Sequence, residues 1–134
     1  MKLDIPVGTV FRKEIIVKPQ HLASKFGSGR VDVLSTPYLV ALIEATCSEG
    51  LQPYHSNEFA SVGAVVNVKH LRPTPLGMSV RCEAIYQGID EKGLYCFDAK
   101  VYDEVELVSV CQHKRGLINV KQFMEKTMNK QKEL

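Results

Sequence analysis

The chain has 134 residues, and no apolar run in it approaches the roughly 20 residues that a membrane span needs. The opening stretch MKLDIPVGTVFRKEII has no secretion-signal core either, because Asp4, Arg12, Lys13 and Glu14 break it up. The expectation is a cytoplasmic protein with no membrane partner. The four cysteines, Cys47, Cys82, Cys96 and Cys111, form no C-x-x-C pair and lie dispersed in apolar or alternating segments. That spacing argues against a disulfide framework and against zinc, and for small buried hydrophobes. No Gly-rich phosphate loop, nucleophile elbow or metal-ligand cluster occurs. Charge of one sign is also scarce. Residues 121–134 carry four Lys against two Glu, and without them the 17 basic and 15 acidic residues fall to 13 of each. A neutral body with no basic stripe speaks against a nucleic-acid partner. The tail reads as a solvated terminal helix.

Repeats, low-complexity tracts and linkers are absent too, so residues 1–134 are read as one domain. Its 45% apolar and 24% charged residues are those of a globular protein able to bury a core. A first strand is expected over Val10–Val17, ended by Pro19, and then a short helical turn and a Gly/Ser-rich loop at HLASKFGSGRVDV. Helical signals begin at STP. Ser35 or Thr36 can cap, with Thr36 preferred, and Pro37 suits the first helical position, where a missing N–H costs nothing. Leu39, Leu42, Ile43, Thr46, Cys47 and Leu51 follow at helical spacing, and Gly50 and Pro53 end the segment.

Beyond Pro53 the period changes to two. ASVGAVVNVKHL, SVRCEAIYQ, LYCFDAKVYD and LVSVCQHKRGLINV read as four consecutive strands, with turns at RPTPLGM and GIDEKG. In the second of them Val80, Cys82, Ala84 and Tyr86 alternate with Arg81, Glu83 and Ile85. Short connections imply an antiparallel sheet, and the whole is α+β, with a curved sheet wrapped around one long helix.

One residue breaks the pattern. Glu44 is the only acid between Thr36 and Ser48, on the most apolar helix of the chain, and no Lys or Arg in the segment can pair with it. A Glu on a helix usually faces water. A helix enclosed by a sheet has little polar stripe, however, and helical periodicity sets Glu44 beside Val40, Ala41 and Ser48, so a cleft or subunit interface is an equal expectation. His70 closes a strand just before the Arg-Pro-Thr-Pro loop. Pattern alone gives it no catalytic claim, and none to His21, His55 or His113.

The spacing of several residues together carries more. Thr36 precedes the helix, Glu44 follows eight residues on, Gly63 lies in the next strand, and His70 closes that strand ahead of Thr74-Pro75-Leu76-Gly77-Met78. From about residue 7 to 124 this order resembles the hotdog-fold thioesterases, in particular the branch that contains the fluoroacetyl-CoA thioesterase. The resemblance implies a long helix wrapped by an antiparallel sheet, and a homodimer or dimer of dimers with its site at the subunit interface. It implies hydrolysis of a short acyl-CoA ester to free acid and CoA, with coenzyme A as part of the substrate and no separate cofactor or metal. Thr36, Glu44 and His70 match that family's catalytic trio. Gly63 matches a glycine whose N–H helps bind the thioester carbonyl, and Arg115 an arginine near CoA.

On this reading Glu44 lacks a local partner because Thr36, His70 and a water or thioester complete its surroundings. Glu44 would act as base or nucleophile, His70 as general acid or base, and Thr36 as hydrogen-bond partner of the acyl group or as a second nucleophile. The loop KFGSGRVDVLST departs from the fluoroacetyl-specific pattern. Aromatic residues are expected there, and only Phe26 is close. A short or polar acyl group other than fluoroacetyl follows. Two other functions are open on the same scaffold: a non-catalytic acyl-CoA binding module, and, less well supported, a dehydratase, whose usual His/Asp or His/Glu helix motif the chain lacks.

Overall fold

The computed structural model describes residues 2–134. Strand β1 spans Val10–Ile16, and a single 3-10 turn at Pro19–His21 leads into the four-residue helix α1, Ala23–Phe26. Gly27 ends α1 in the left-handed region at φ 88°, where a Cβ would be strained, and the loop then runs to the long helix α2, Thr36–Leu51. Strands β2 (Phe59–His70), β3 (Ser79–Ile89), β4 (Tyr95–Asp103) and β5 (Leu107–Asn119) follow, and helix α3 (Val120–Asn129) closes the fold. No helix among the described residues is long and apolar enough to cross a membrane.

The five strands make one antiparallel sheet in the order β1-β3-β4-β5-β2. Only β3, β4 and β5 form a continuous meander. β2 does not pair with β3 as a simple run of neighbours would have it. It lies at the far edge beside β5, and β1 takes the place next to β3. Pro73 and Pro75 lie in the connection from β2 to β3, which crosses the end of the sheet rather than turning back as a hairpin. The GIDEKG turn does close a hairpin. The Asp90 carboxylate accepts from the N–H groups of Lys92 and Leu94, each at 2.9 Å.

The core forms where α2 lies across the inner face of the sheet. Leu39, Leu42, Ile43, Cys47 and Leu51 are buried on the helix, and Val80, Cys82, Ala84, Tyr86, Phe97, Ala99 and Val101 meet them from β3 and β4. Every one of the helical positions expected inside is inside. Each fully buried aliphatic side chain here contributes on the order of 1.5–3 kcal/mol, and that burial fixes the rotation of α2 about its axis. The same rotation leaves Val40, Glu44 and Ser48 half-buried on a side stripe.

All four cysteines are free thiols, and Cys47, Cys82 and Cys111 are buried. Burial pushes their pKa values up, to about 11 at Cys82 and Cys111 and further at Cys47. Buried neutral thiols are poor nucleophiles. A variant with all four replaced by Ala or Ser should therefore lose stability through lost packing and keep its turnover. A folded Cys-free protein with no activity would contradict this.

Candidate active site

Ser35, not Thr36, caps α2: its hydroxyl accepts from the Tyr38 N–H at 3.2 Å, and Thr36 and Pro37 occupy the first turn. The cap is therefore one residue earlier than the preferred reading, and this has a chemical result. With capping done by Ser35, the exposed hydroxyl of Thr36 is free to meet His70 at the end of β2, with Oγ1 2.8 Å from Nδ1. Burial pulls the pKa of His70 below the usual histidine value, and the backbone carbonyl of Arg72 opposes this only in part. The ring is neutral near pH 7, which suits it to accept a proton rather than to donate one. Its other nitrogen, Nε2, is buried and has no hydrogen-bond partner among the described residues. Beside the pair lies a cavity of about 360 Å³ whose walls include Ala23, Val31, Val33 and Leu34. Among the described residues no Phe, Tyr or Trp side chain lines it, and Phe26 instead lines a separate cavity with Pro19, Gln20 and Lys25.

Glu44 belongs to a second cluster. It stands eight residues along the same helix from Thr36, about 12 Å away along the axis. Its partner is not His70. The carboxylate Oε2 lies 3.5 Å from Nη1 of Arg115, whose side chain is only 6% exposed against 41% for Glu44. The expectation of an acid without a basic partner is thus corrected: the cation comes from β5, far away in sequence, where no local window could show it. Arg115 is itself firmly held. Its Nε donates to Ser61 Oγ at 2.8 Å, Nη2 to the Ser61 carbonyl at 2.9 Å, and Nη1 to His113 Nε2 at 3.1 Å. Gly63 lies against the same carboxylate. A Cβ at this position would be 2.5 Å from Glu44 Oε2, so only glycine lets strand and acid approach this closely.

A bulge sets the two clusters on one face. Gly63 and His70 are seven positions apart, and on a regular strand an odd separation points side chains to opposite faces. The ladder between β2 and β5 shifts register between Gly63 and Val65, so Gly63 pairs with Arg115 and His70 with Ser109, which are an even number of positions apart. Both positions therefore look toward α2. A larger cavity of about 520 Å³ lies on the opposite face, lined by Asn67, Lys69, Glu83, Lys100 and Gln112 among others, and holds none of the five expected residues.

The structure thus brings Thr36 to His70, and Glu44 to Gly63 and Arg115, but does not join the two groups within one chain. It also adds two residues that pattern had passed over, His113 and Ser61. His113 has a signal after the fact. Cys111, His113 and Arg115 alternate on β5, so a strand that turns Arg115 inward turns His113 inward as well.

The family model of the fluoroacetyl-CoA-specific thioesterases matches residues 17–121. The chain belongs to that family. It is accordingly a thioester hydrolase acting on acyl-CoA esters. The fluoroacetyl-CoA thioesterase of Streptantibioticus cattleyicolor is 26% identical to it over 136 aligned positions, covering 97% of each protein. A crystal structure of a mutant fluoroacetyl-CoA-specific thioesterase superposes with a TM-score of 0.88 at 23% identity, over 96% of this chain and 99% of that one. A thioesterase superfamily member from Thermus thermophilus gives 0.85 at 23% identity, over 97% and 95%. These likenesses place the fold among the hotdog thioesterases.

Proposed function

We propose that the protein hydrolyses a short acyl-CoA ester at a site shared between two copies of the chain, with Glu44 from one and the Thr36–His70 pair from the other. The observation that carries this is the separation of two half-sites along one helix, with an unpaired edge strand running between them. β2 pairs with β5 on one side only, and Val65 and Val66 on it are 41% and 40% exposed. A long apolar edge of this kind invites a second strand. Pairing two copies of β2 antiparallel, with the twofold axis between Val66 and Asn67, sets Gly63 opposite His70 of the partner subunit. The carboxylate beside Gly63 then faces the hydroxyl beside His70 across the interface.

In that arrangement Glu44 takes a proton from the attacking water, and as the neutral acid it returns the proton to the leaving thiolate. Free acid and CoA result. Direct attack by Glu44 through a transient anhydride gives the same products. The Gly63 N–H stabilises the developing oxyanion. The hydrogen bond between His70 and Thr36 holds that hydroxyl beside the acyl group, while Arg115 fixes Glu44 and lies toward CoA. The cavity next to Thr36, with aliphatic walls at Ala23, Val31, Val33 and Leu34 and polar groups at Ser28 and Arg72, supports a small acyl group without the aromatic lid that fluoroacetyl specificity would call for.

The test is release of free CoA from a panel of acetyl-, propionyl-, butyryl- and fluoroacetyl-CoA, followed with a thiol reagent, together with light scattering. The expected outcome is a dimer or a multiple of dimers at micromolar concentration, with kcat/KM for a non-fluorinated short ester at least equal to that for fluoroacetyl-CoA. A monomer would sink the shared site. Tight binding of every ester without hydrolysis would point to a binding module.

A further inference from the structure

We infer that His113 is a positioning residue for Glu44: a neutral ring with its proton on Nδ1, it accepts from Arg115 and so fixes the guanidinium against which the carboxylate rests. This builds on the role given to Glu44 above, but the state of the ring is set by geometry alone. His113 Nδ1 lies 2.8 Å from the Val65 carbonyl oxygen, and a carbonyl can only accept, so Nδ1 carries hydrogen. On the other side Nε2 lies 3.1 Å from Arg115 Nη1, and a guanidinium can only donate, so Nε2 presents its lone pair. One tautomer satisfies both contacts. The charged ring keeps the bond to Val65 but loses the one to Arg115, since its Nε2–H would face an N–H and two cations would touch.

Burial makes this assignment strict. His113 has no solvent exposure and Arg115 has 5%. The charged groups facing the ring are Arg115 on its own strand and Glu44 from α2; from β2 it meets the Val65 backbone. Desolvation, the largest effect, holds the His113 pKa below the usual histidine value, in the same sense as the hydrogen-bond pattern. The Val65 carbonyl meets the ring at the edge of the bulge between Gly63 and Val65, where the regular ladder shifts. Ser61 takes two of the donors of Arg115, and His113 is what directs the third, Nη1, which is also the atom nearest Glu44. Remove the acceptor and a buried N–H is left without a partner, so the guanidinium must turn to find one. A carboxylate paired at 3.5 Å turns with it.

The first measurement is of the wild-type protein with ¹⁵N-labelled histidine. At pH 7 the His113 resonances should show Nδ1 protonated and Nε2 unprotonated. The second compares His113→Gln with His113→Leu. A glutamine amide can donate to the Val65 carbonyl and accept from Arg115 with the same polarity, so kcat should stay within about threefold of wild type. Leucine fills the space without an acceptor, and kcat should fall at least about tenfold with KM changed little, because misplacement of a reacting group by a fraction of an ångström costs that much or more. A ring protonated on Nε2 at pH 7, a leucine variant as active as wild type, or a glutamine variant as slow as the leucine one would each overturn the proposal. Should the leucine variant not fold, the tautomer and the glutamine variant decide it. The resonance measurement needs no turnover, so a failure of the thioesterase reading would be seen apart from a failure here.

Discussion

Glu44→Gln should lower kcat by a factor on the order of 10² or more and leave KM for a short acyl-CoA ester nearly unchanged. Glutamine keeps the volume of the side chain but has no basic oxygen to take a proton from water and no charge to attack a carbonyl. Its contribution to ground-state binding is small, because the loss falls on the transition state. The geometry sets a second expectation, for stability. In sequence Glu44 reads as an unpaired acid in an apolar helix, whose removal would relieve the fold. Its position beside a buried guanidinium reverses that sign. Loss of the carboxylate leaves Arg115 without its counter-charge, although Ser61 and His113 still take its N–H groups. Full loss of one partner of a buried ion pair costs several kcal/mol. Glu44 is 41% exposed and solvent screens the pair, so a loss of about 1 kcal/mol is the better expectation. That corresponds to a melting temperature lower by a few degrees. Steady-state kinetics alongside thermal melts test both. Wild-type turnover in this variant would remove Glu44 from the chemistry, and a raised melting temperature would mean that the pair with Arg115 does not stabilise the fold.

The chain shows how far local patterns reach and where they stop. The buried face of α2 was legible because helical period and apolar content coincide over Leu39, Leu42, Ile43, Cys47 and Leu51. The inward residues of β3 were legible for the same reason at period two. What depended on distant pairing was not. Arg115 as the partner of Glu44 comes from a strand on the other side of the fold in sequence, and the position of β2 beside β5 comes from a crossover that no window of residues encodes. The bulge after Gly63 reverses the parity of β2, so counting alternate residues from His70 would have put Gly63 on the wrong face. Ser35 and Thr36 can both cap by residue type; Ser35 takes the cap, and the Thr36 hydroxyl is left to meet His70. The five candidate residues were reached through their combined spacing and its likeness to a known family. That spacing did not show that they divide into two groups.

The division permits a test that a single-chain site would fail. His70→Ala removes the hydrogen-bond partner of the Thr36 hydroxyl, and like Glu44→Gln it should reduce kcat by about 10²-fold on its own. Suppose the two inactive variants are unfolded together and allowed to reassociate at random. Half of the dimers then contain one chain of each kind. In such a dimer one site receives both defects, and the other receives an intact Glu44 from one chain and an intact Thr36–His70 pair from its partner. The mixture should therefore recover about one quarter of wild-type activity, from two preparations that have almost none. A site built within one chain gives the opposite result, since every chain carries a defect and none is repaired by its neighbour. The control is a mixture of wild type with Glu44→Gln in equal amounts, which should give about half of wild-type activity, because half of all sites then draw an intact Glu44. Recovery in the mixed variants with this control in place assigns Glu44 and His70 to different chains. No recovery, with mixed dimers shown by mass spectrometry to have formed, would confine the chemistry to a single chain, and the separation of about 12 Å along α2 between Thr36 and Glu44 would have to be closed by movement instead.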